Sequence, residues 1–82
     1  MDKLDYAVLD LMIKSQAVTK MSAITRKAIH EDLDVTIDTL YRRLAGLIKT
    51  GYAKQGIKDR REYTYYVTAK GKQAFKEAMN EE

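Results

Sequence analysis

The residues best equipped for chemistry in this chain are cations. Arg42 and Arg43 stand beside Thr36, Asp38, Thr39 and Tyr41, and a second group gathers at Lys58, Arg60 and Arg61. A guanidinium presents a rigid fork of donors, and an ammonium a compact charge, so such groups recognise anions. Side chains for covalent chemistry are scarce. Cysteine is absent and His30 is the one histidine, which excludes a thiolate nucleophile, a disulfide framework and a closed zinc site. His30 reads as a helix-end residue interacting with the dipole, not as a catalytic group. No Gly-rich loop for cradling phosphate occurs, and Asp32 and Asp34 flank Leu33 in a solvated turn instead of pairing in a pocket. The chain is expected to bind, not to catalyse, with no metal and no cofactor.

The distribution of charge says what it binds. Net charge is only +3 over 82 residues. Residues 1–35 hold five Lys/Arg against six Asp/Glu, residues 36–72 nine against three, and residues 73–82 one against three. Positive charge gathered around Arg42 and the stretch after it favours a polyanionic partner. A hydrophobic fraction of 45% suits a globular fold, and the length suits a single domain over residues 1–82. The start, Met1-Asp2-Lys3-Leu4-Asp5, lacks the basic and apolar regions of a signal peptide. No apolar run approaches the roughly 20 residues that span a bilayer. A cytoplasmic location without membrane contact is expected.

The cations need elements to hold them. Leu40, Leu44, Leu47 and Ile48 share one face of a helix over residues 36–50, with Asp38, Arg42, Ala45 and Lys49 opposite. Thr36 suits its N-cap and Gly51 its stop. The outer face is small, polar and cationic, the kind a DNA major groove accepts. Upstream, residues 4–14 predict a helix with one stripe of Leu4, Ala7, Val8, Leu11 and Met12 and a second of Tyr6, Leu9 and Ile13. Apolar on both sides, it must be covered on both, by the last helix, a partner subunit or the two together. Residues 17–20 have the β character of a short strand. Ser22 is placed to cap a helix over residues 23–31 with Ile24, Ala28 and Ile29 inward, and Leu33 and Val35 are buried in the turn that follows.

Downstream of Gly51, residues 52–67 predict a hairpin, with strands over 52–58 and 62–67 and a cationic tip at Asp59, Arg60 and Arg61. Gly56 marks a bulge or bend. Tyr63, Tyr65 and Val67 share one face of the second strand, Glu62, Thr64 and Tyr66 the other. Thr68 caps a last helix over residues 69–80 with Phe75, Ala78 and Met79 as its apolar stripe, and Gly71 lets its start press against the sheet. Residues 80–82 are expected to fray. The class is α+β, mainly α.

This order, and two motifs, resemble a winged helix-turn-helix domain. The run from Thr36 through Thr39-Leu40-Tyr41-Arg42-Arg43-Leu44 to Leu47-Ile48-Lys49-Thr50-Gly51 is similar to the recognition helix of PadR-like and related bacterial regulators. Arg61-Glu62-Tyr63-Thr64-Tyr65-Tyr66-Val67-Thr68-Ala69-Lys70-Gly71 resembles their second wing strand and next helix. The compact size also resembles small regulators of phages, plasmids and conjugative elements. The chain departs from the PadR-like pattern in having one short helix after the wing.

The resemblance implies sequence-specific binding of double-stranded DNA and transcriptional regulation, with family habit favouring repression over activation. Thr36, Asp38, Thr39, Arg42 and Arg43 would face the major groove. Arg42 is the best placed to pair with a guanine edge. Asp38 would accept from cytosine or cap the helix, while Tyr41 and Arg43 would meet phosphate. Lys58, Arg60 and Arg61 would follow the backbone or enter the minor groove, and Lys54 and Lys70 would add phosphate contacts. A homodimer is implied, with Tyr6, Leu9, Ile13, Phe75 and Met79 as interface candidates. The competing class is a protein-interaction module in a larger assembly, working through the two-sided first helix and the tyrosine-rich hairpin.

Overall fold

Each helix starts where a short polar side chain satisfies amides that the first turn leaves unpaired. In the computed structural model, which describes residues 1–80, Asp2 and Asp5 open helix α1 (Lys3–Lys14). Each carboxylate accepts the other residue's backbone N–H at 3.1 Å, a reciprocal capping box. Thr25 caps α2 (Arg26–Asp32), its hydroxyl accepting from the Ala28 N–H at 3.1 Å. Thr36 caps α3 (Ile37–Lys49) through the Thr39 N–H. Thr68 accepts from the Gly71 N–H at 3.1 Å at the head of α4 (Ala69–Asn80). Asn80 is helical, and the fraying expected of Glu81 and Glu82 lies outside the described residues.

The strand and cap before α2 differ from expectation. Residues 17–20 are not a strand; the short strand β1 is Ile24–Thr25, and α2 begins only at Arg26. Ser22 does not cap a helix because its hydroxyl accepts the Val18 and Thr19 N–H groups, both at 3.1 Å, closing a tight loop. Ile24 therefore pairs in a sheet, and Ala28 is exposed while Ile29 is buried. The loop is still tied to the sheet, since the Ala17 carbonyl accepts from the Val67 N–H at 2.9 Å.

The hairpin is part of a three-stranded antiparallel sheet in the order β1-β3-β2. Strand β2 (Ala53–Gln55) pairs Ala53 with Val67 and Gln55 with Tyr65. Strand β3 (Thr64–Val67) also pairs Tyr65 with Ile24 and Thr64 with Thr25. As the central strand, β3 buries Thr64, Tyr65 and Val67, so the simple two-faced alternation read from the sequence is lost. Both strands are shorter than expected. Beyond Gln55, a Cβ on Gly56 would collide with Ala23, the Lys20 carbonyl and the Thr64 hydroxyl, and the Ile57 N–H turns to the Lys20 carbonyl at 3.2 Å.

The core gathers Val8, Leu9 and Met12 of α1 with Ile29, Leu40, Leu44, Leu47, Tyr65 and Val67. Helix α1 packs on α3, β3 and α4, burying Val8 and Met12 of one stripe and Leu9 of the other and leaving Tyr6 and Ile13 partly exposed. Helix α3 ends in a Schellman turn: Gly51 has φ +85°, its N–H donates to the Ile48 carbonyl at 3.0 Å, and the Tyr52 N–H donates to Leu47 at 2.9 Å. The Thr68 hydroxyl donates to the Gly51 carbonyl at 2.6 Å, joining the end of α3 to the start of α4. Gly71 makes the close approach its position implied. A Cβ there would strike the Tyr52 carbonyl and Val67. No described helix is long and apolar enough to cross a membrane.

Candidate nucleic-acid interface

Burying Leu40, Leu44 and Leu47 turns the opposite face of α3 outward, exposing Asp38, Arg42, Ala45, Gly46 and Lys49. At its N-terminal end, the Thr36 hydroxyl accepts the Thr39 N–H and donates to the Thr39 hydroxyl at 2.9 Å. Asp38 sits in the first turn, where the helix dipole favours its charge. Arg42 is exposed and, among the described residues, no carboxylate comes within ion-pair distance of it.

The two flanks of α3 differ. On one, Thr39, Arg42, Arg43, Gly46, Leu47 and Thr50 line an open groove of about 510 Å³, closed at one side by Met1 and Asp5. Arg43 is not free there. Its guanidinium is ion-paired with Asp2 and also lies 3.7 Å from Asp5, so in the free chain its charge is matched by the capping box of α1. The Asp5 backbone N–H, reinforced by the positive charge of Arg43, holds the Asp2 carboxyl below its usual range against a smaller opposing effect of desolvation. On the other flank, Tyr41 is covered by the guanidinium of Arg26, 3.9 Å from the ring centroid.

The wing tip is a closed turn. Asp59 and Glu62 exchange both backbone hydrogen bonds at 3.0 Å, leaving Arg60 and Arg61 at the apex. Arg60 has φ +61°, a conformation in which glycine would be at ease and an arginine is strained. Arg60 and Arg61 are exposed and, with Lys54 and Lys58, have no carboxylate partner among the described residues. Lys58 rests over the Tyr63 ring, 4.4 Å from its centroid. Lys70 is turned elsewhere: its ammonium donates to the Thr50 carbonyl at 2.7 Å, at the C-terminal end of α3 where the dipole attracts a cation. In the free chain it caps that helix.

Of the interface candidates, Leu9 has no exposed surface and belongs to the protomer's own core. Ile13 and Phe75 are partly buried and pack against that core, Tyr6 is partly exposed, and Met79 is 54% exposed. His30 bonds the Val35 carbonyl at 2.9 Å, bracing the turn between α2 and α3. Among the described residues, no cluster of three or more His, Asp or Glu side chains could hold a metal ion.

Two functional groups escaped the sequence. Asp2 and Asp5 are too far along the chain from Arg43 for any local signal to pair them. Arg26 stands at the head of α2 because Thr25 is the cap, and Thr25 is fixed there by its pairing with distant Thr64.

No known family model and no curated protein matches the chain. Solved structures do. TubR from Bacillus megaterium pBM400 superposes with a TM-score of 0.88 at 20% identity, over 98% of this chain and 88% of that one. The DNA-binding TubR fragment from Clostridium botulinum gives 0.75 at 22%, over 95% and 96%. FabT from Streptococcus pneumoniae, solved in complex with DNA, gives 0.74 at 21%, over 96% of this chain and 52% of that one. The chain thus has the winged helix-turn-helix fold. A likeness near 20% identity establishes that fold and does not select the PadR-like group within it.

Proposed function

We propose that the chain binds double-stranded DNA sequence-specifically and regulates transcription, with α3 in the major groove and the wing along the backbone or minor groove. The observation that carries this reading is the exposed face of α3 bearing Arg42, accompanied by a wing whose apical Arg60 and Arg61 have no carboxylate partner among the described residues. The DNA in the FabT structure and the DNA-binding character of the botulinum TubR fragment support it. Arg42 reads a base edge, Thr36, Asp38 and Thr39 flank it, and Lys54, Lys58, Arg60 and Arg61 neutralise phosphate. The protein acts as a homodimer in the cytoplasm, since one helix-turn-helix reads a half-site and its twin reads the other. It works as a repressor, by occupying its site without chemistry. The protein-interaction alternative is weakened because Leu9, at the centre of the second apolar stripe of α1, is fully buried in the chain's own core.

Fluorescence anisotropy with duplex DNA at two salt concentrations tests the proposal. Wild type should bind at low salt and weaken steeply as salt rises. On a selected operator, Arg42→Ala should cost about 1–3 kcal/mol of discrimination at one position. Arg60→Ala/Arg61→Ala should weaken all sequences alike. Absence of low-salt binding by the wild type would end the proposal.

A further inference from the structure

Arg26 joins the wing to the reading helix by two separate means. It is the first residue of α2, directly after β1, and its backbone N–H donates to the Tyr63 carbonyl at 3.3 Å. That bond continues the β1–β3 ladder one step past Thr25 and Thr64. Its guanidinium meanwhile lies 3.9 Å from the ring centroid of Tyr41 on α3 and 5.0 Å from that of Tyr63 at the entry to β3. Lys58 adds its ammonium to the same Tyr63 ring. A continuous stack, Lys58–Tyr63–Arg26–Tyr41, therefore runs from the hairpin to α3.

Tyr41 and Tyr63 are 37% and 38% exposed, so neither ring is held by the core. Beyond β2 the wing has one backbone tie to the body besides that of Arg26, the Ile57 N–H to the Lys20 carbonyl at 3.2 Å, and it leads to the loop before β1, not to α3. Past Gln55, its two arms are joined by the Gly56 N–H to the Thr64 carbonyl, by the Thr64 hydroxyl to the Ile57 carbonyl at 2.7 Å, and by the Asp59–Glu62 pair at the tip. These bonds join one arm to the other, and neither they nor the Ile57–Lys20 bond reaches α3. Arg26 does, and a planar guanidinium stacks on an aromatic face in a way that no exposed aliphatic contact reproduces. Among the described residues no carboxylate pairs with Arg26, so its charge is spent on the rings.

We propose that Arg26 is a positioning residue: by stacking against Tyr41 and Tyr63 it sets the pitch of the wing relative to α3, so that both reach the duplex as one body. The proposal rests on the reading of α3 and the wing as a duplex-binding surface. Its consequence is specific. Loss of the stack should detach the wing from DNA while leaving the reading helix in its groove.

The test compares wild type, Arg26→Ala, Tyr63→Leu and Tyr63→Phe, each shown to melt cooperatively. The DNA is a duplex selected in vitro with the wild type. Dimethyl sulfate protection of guanine N7 reports the major groove, and hydroxyl-radical cleavage reports the backbone facing the wing. In the free proteins, amide order parameters are measured at Asp59–Glu62. Arg26→Ala and Tyr63→Leu should keep the guanine protection, lose the wing's hydroxyl-radical footprint and bind about tenfold more weakly. Their tip amides should fall below about 0.6 in order parameter. Tyr63→Phe, which keeps the ring, should behave as wild type. The proposal is overturned if both footprints fade together or if Tyr63→Leu matches wild type, the pattern of a plain phosphate contact by Arg26. If the wild type binds no duplex, the DNA reading fails by itself. The tip amides still judge Arg26, and unchanged order in Arg26→Ala would overturn its positioning role.

Discussion

Three backbone positions put the same conformational physics to work with opposite signs. Gly51 adopts φ +85° to turn the chain out of α3, and an alanine there would carry the left-handed penalty of about 1–2 kcal/mol. Gln16 occupies the equivalent place after α1 with φ +58°, its N–H donating to Ile13 while that of Ala17 donates to Met12. Here glycine is the better residue, and Gln16→Gly should stabilise by up to about 1 kcal/mol. Gly46 is different again. It lies inside α3 with nothing within 4 Å of where a Cβ would stand, so Gly46→Ala should gain about 1 kcal/mol of helix propensity. In thermal melts each kcal/mol should move the midpoint by about 4–8 °C, down for Gly51→Ala and up for the other two. Arg60, also left-handed, belongs with Gln16 energetically, but its side chain stands at the wing apex. Arg60→Gly should therefore raise the melting temperature and lower duplex affinity, a separation that melts and anisotropy measure together.

At the scale of elements, what was legible depended on whether the deciding interaction was local. The face and both ends of α3 follow from Thr36, the leucine spacing and Gly51, all within one stretch of chain, and the structure reproduces them. Gly71 was legible for the same kind of reason, and Gly71→Ala should cost about 1–3 kcal/mol by overpacking against Tyr52 and Val67, read as a lower denaturation midpoint in urea at unchanged slope. Strand β1 was not legible. Two residues cannot hold a strand by propensity, and Ile24–Thr25 exists because distant β3 pairs with it. Choosing between Ser22 and Thr25 as a cap turned on the same tertiary contact. The capping box of α1 is local, whereas its union with Arg43 is not, and it carries a pH prediction. The folded-state pKa of Asp2 is depressed, by the Asp5 N–H first and by Arg43 as well. Its contribution is therefore complete above the unfolded value of about 4 and is lost as pH falls through the lower folded value. Asp2→Asn keeps a capping oxygen but no charge. In melts from neutral pH downward, it should lie below wild type at neutrality and converge with it in acid.

At the scale of the molecule, the basic surplus over residues 36–72 overstates the charge available to a duplex. Arg43 is neutralised by Asp2 and Asp5, and Lys70 is turned to the Thr50 carbonyl. The cations left facing outward from α3 and the wing without a carboxylate are Arg42, Lys49, Lys54, Lys58, Arg60 and Arg61. Counterion release converts that distinction into a measurable slope, because log affinity falls against log salt by about 0.9 for each phosphate neutralised. Arg43→Ala should lower stability through loss of the α1–α3 ion pair yet leave the slope nearly unchanged. Arg60→Ala/Arg61→Ala should do the reverse, flattening the slope by about 2 in a protomer acting alone. A dimer on a two-fold operator loses both wings at once, so the change should approach about 4. Anisotropy titrations over a series of salt concentrations, with solution molar mass measured alongside, check both expectations. An Arg43→Ala slope reduced as much as that of the wing variant would place Arg43 on the DNA and reverse its assignment to α1.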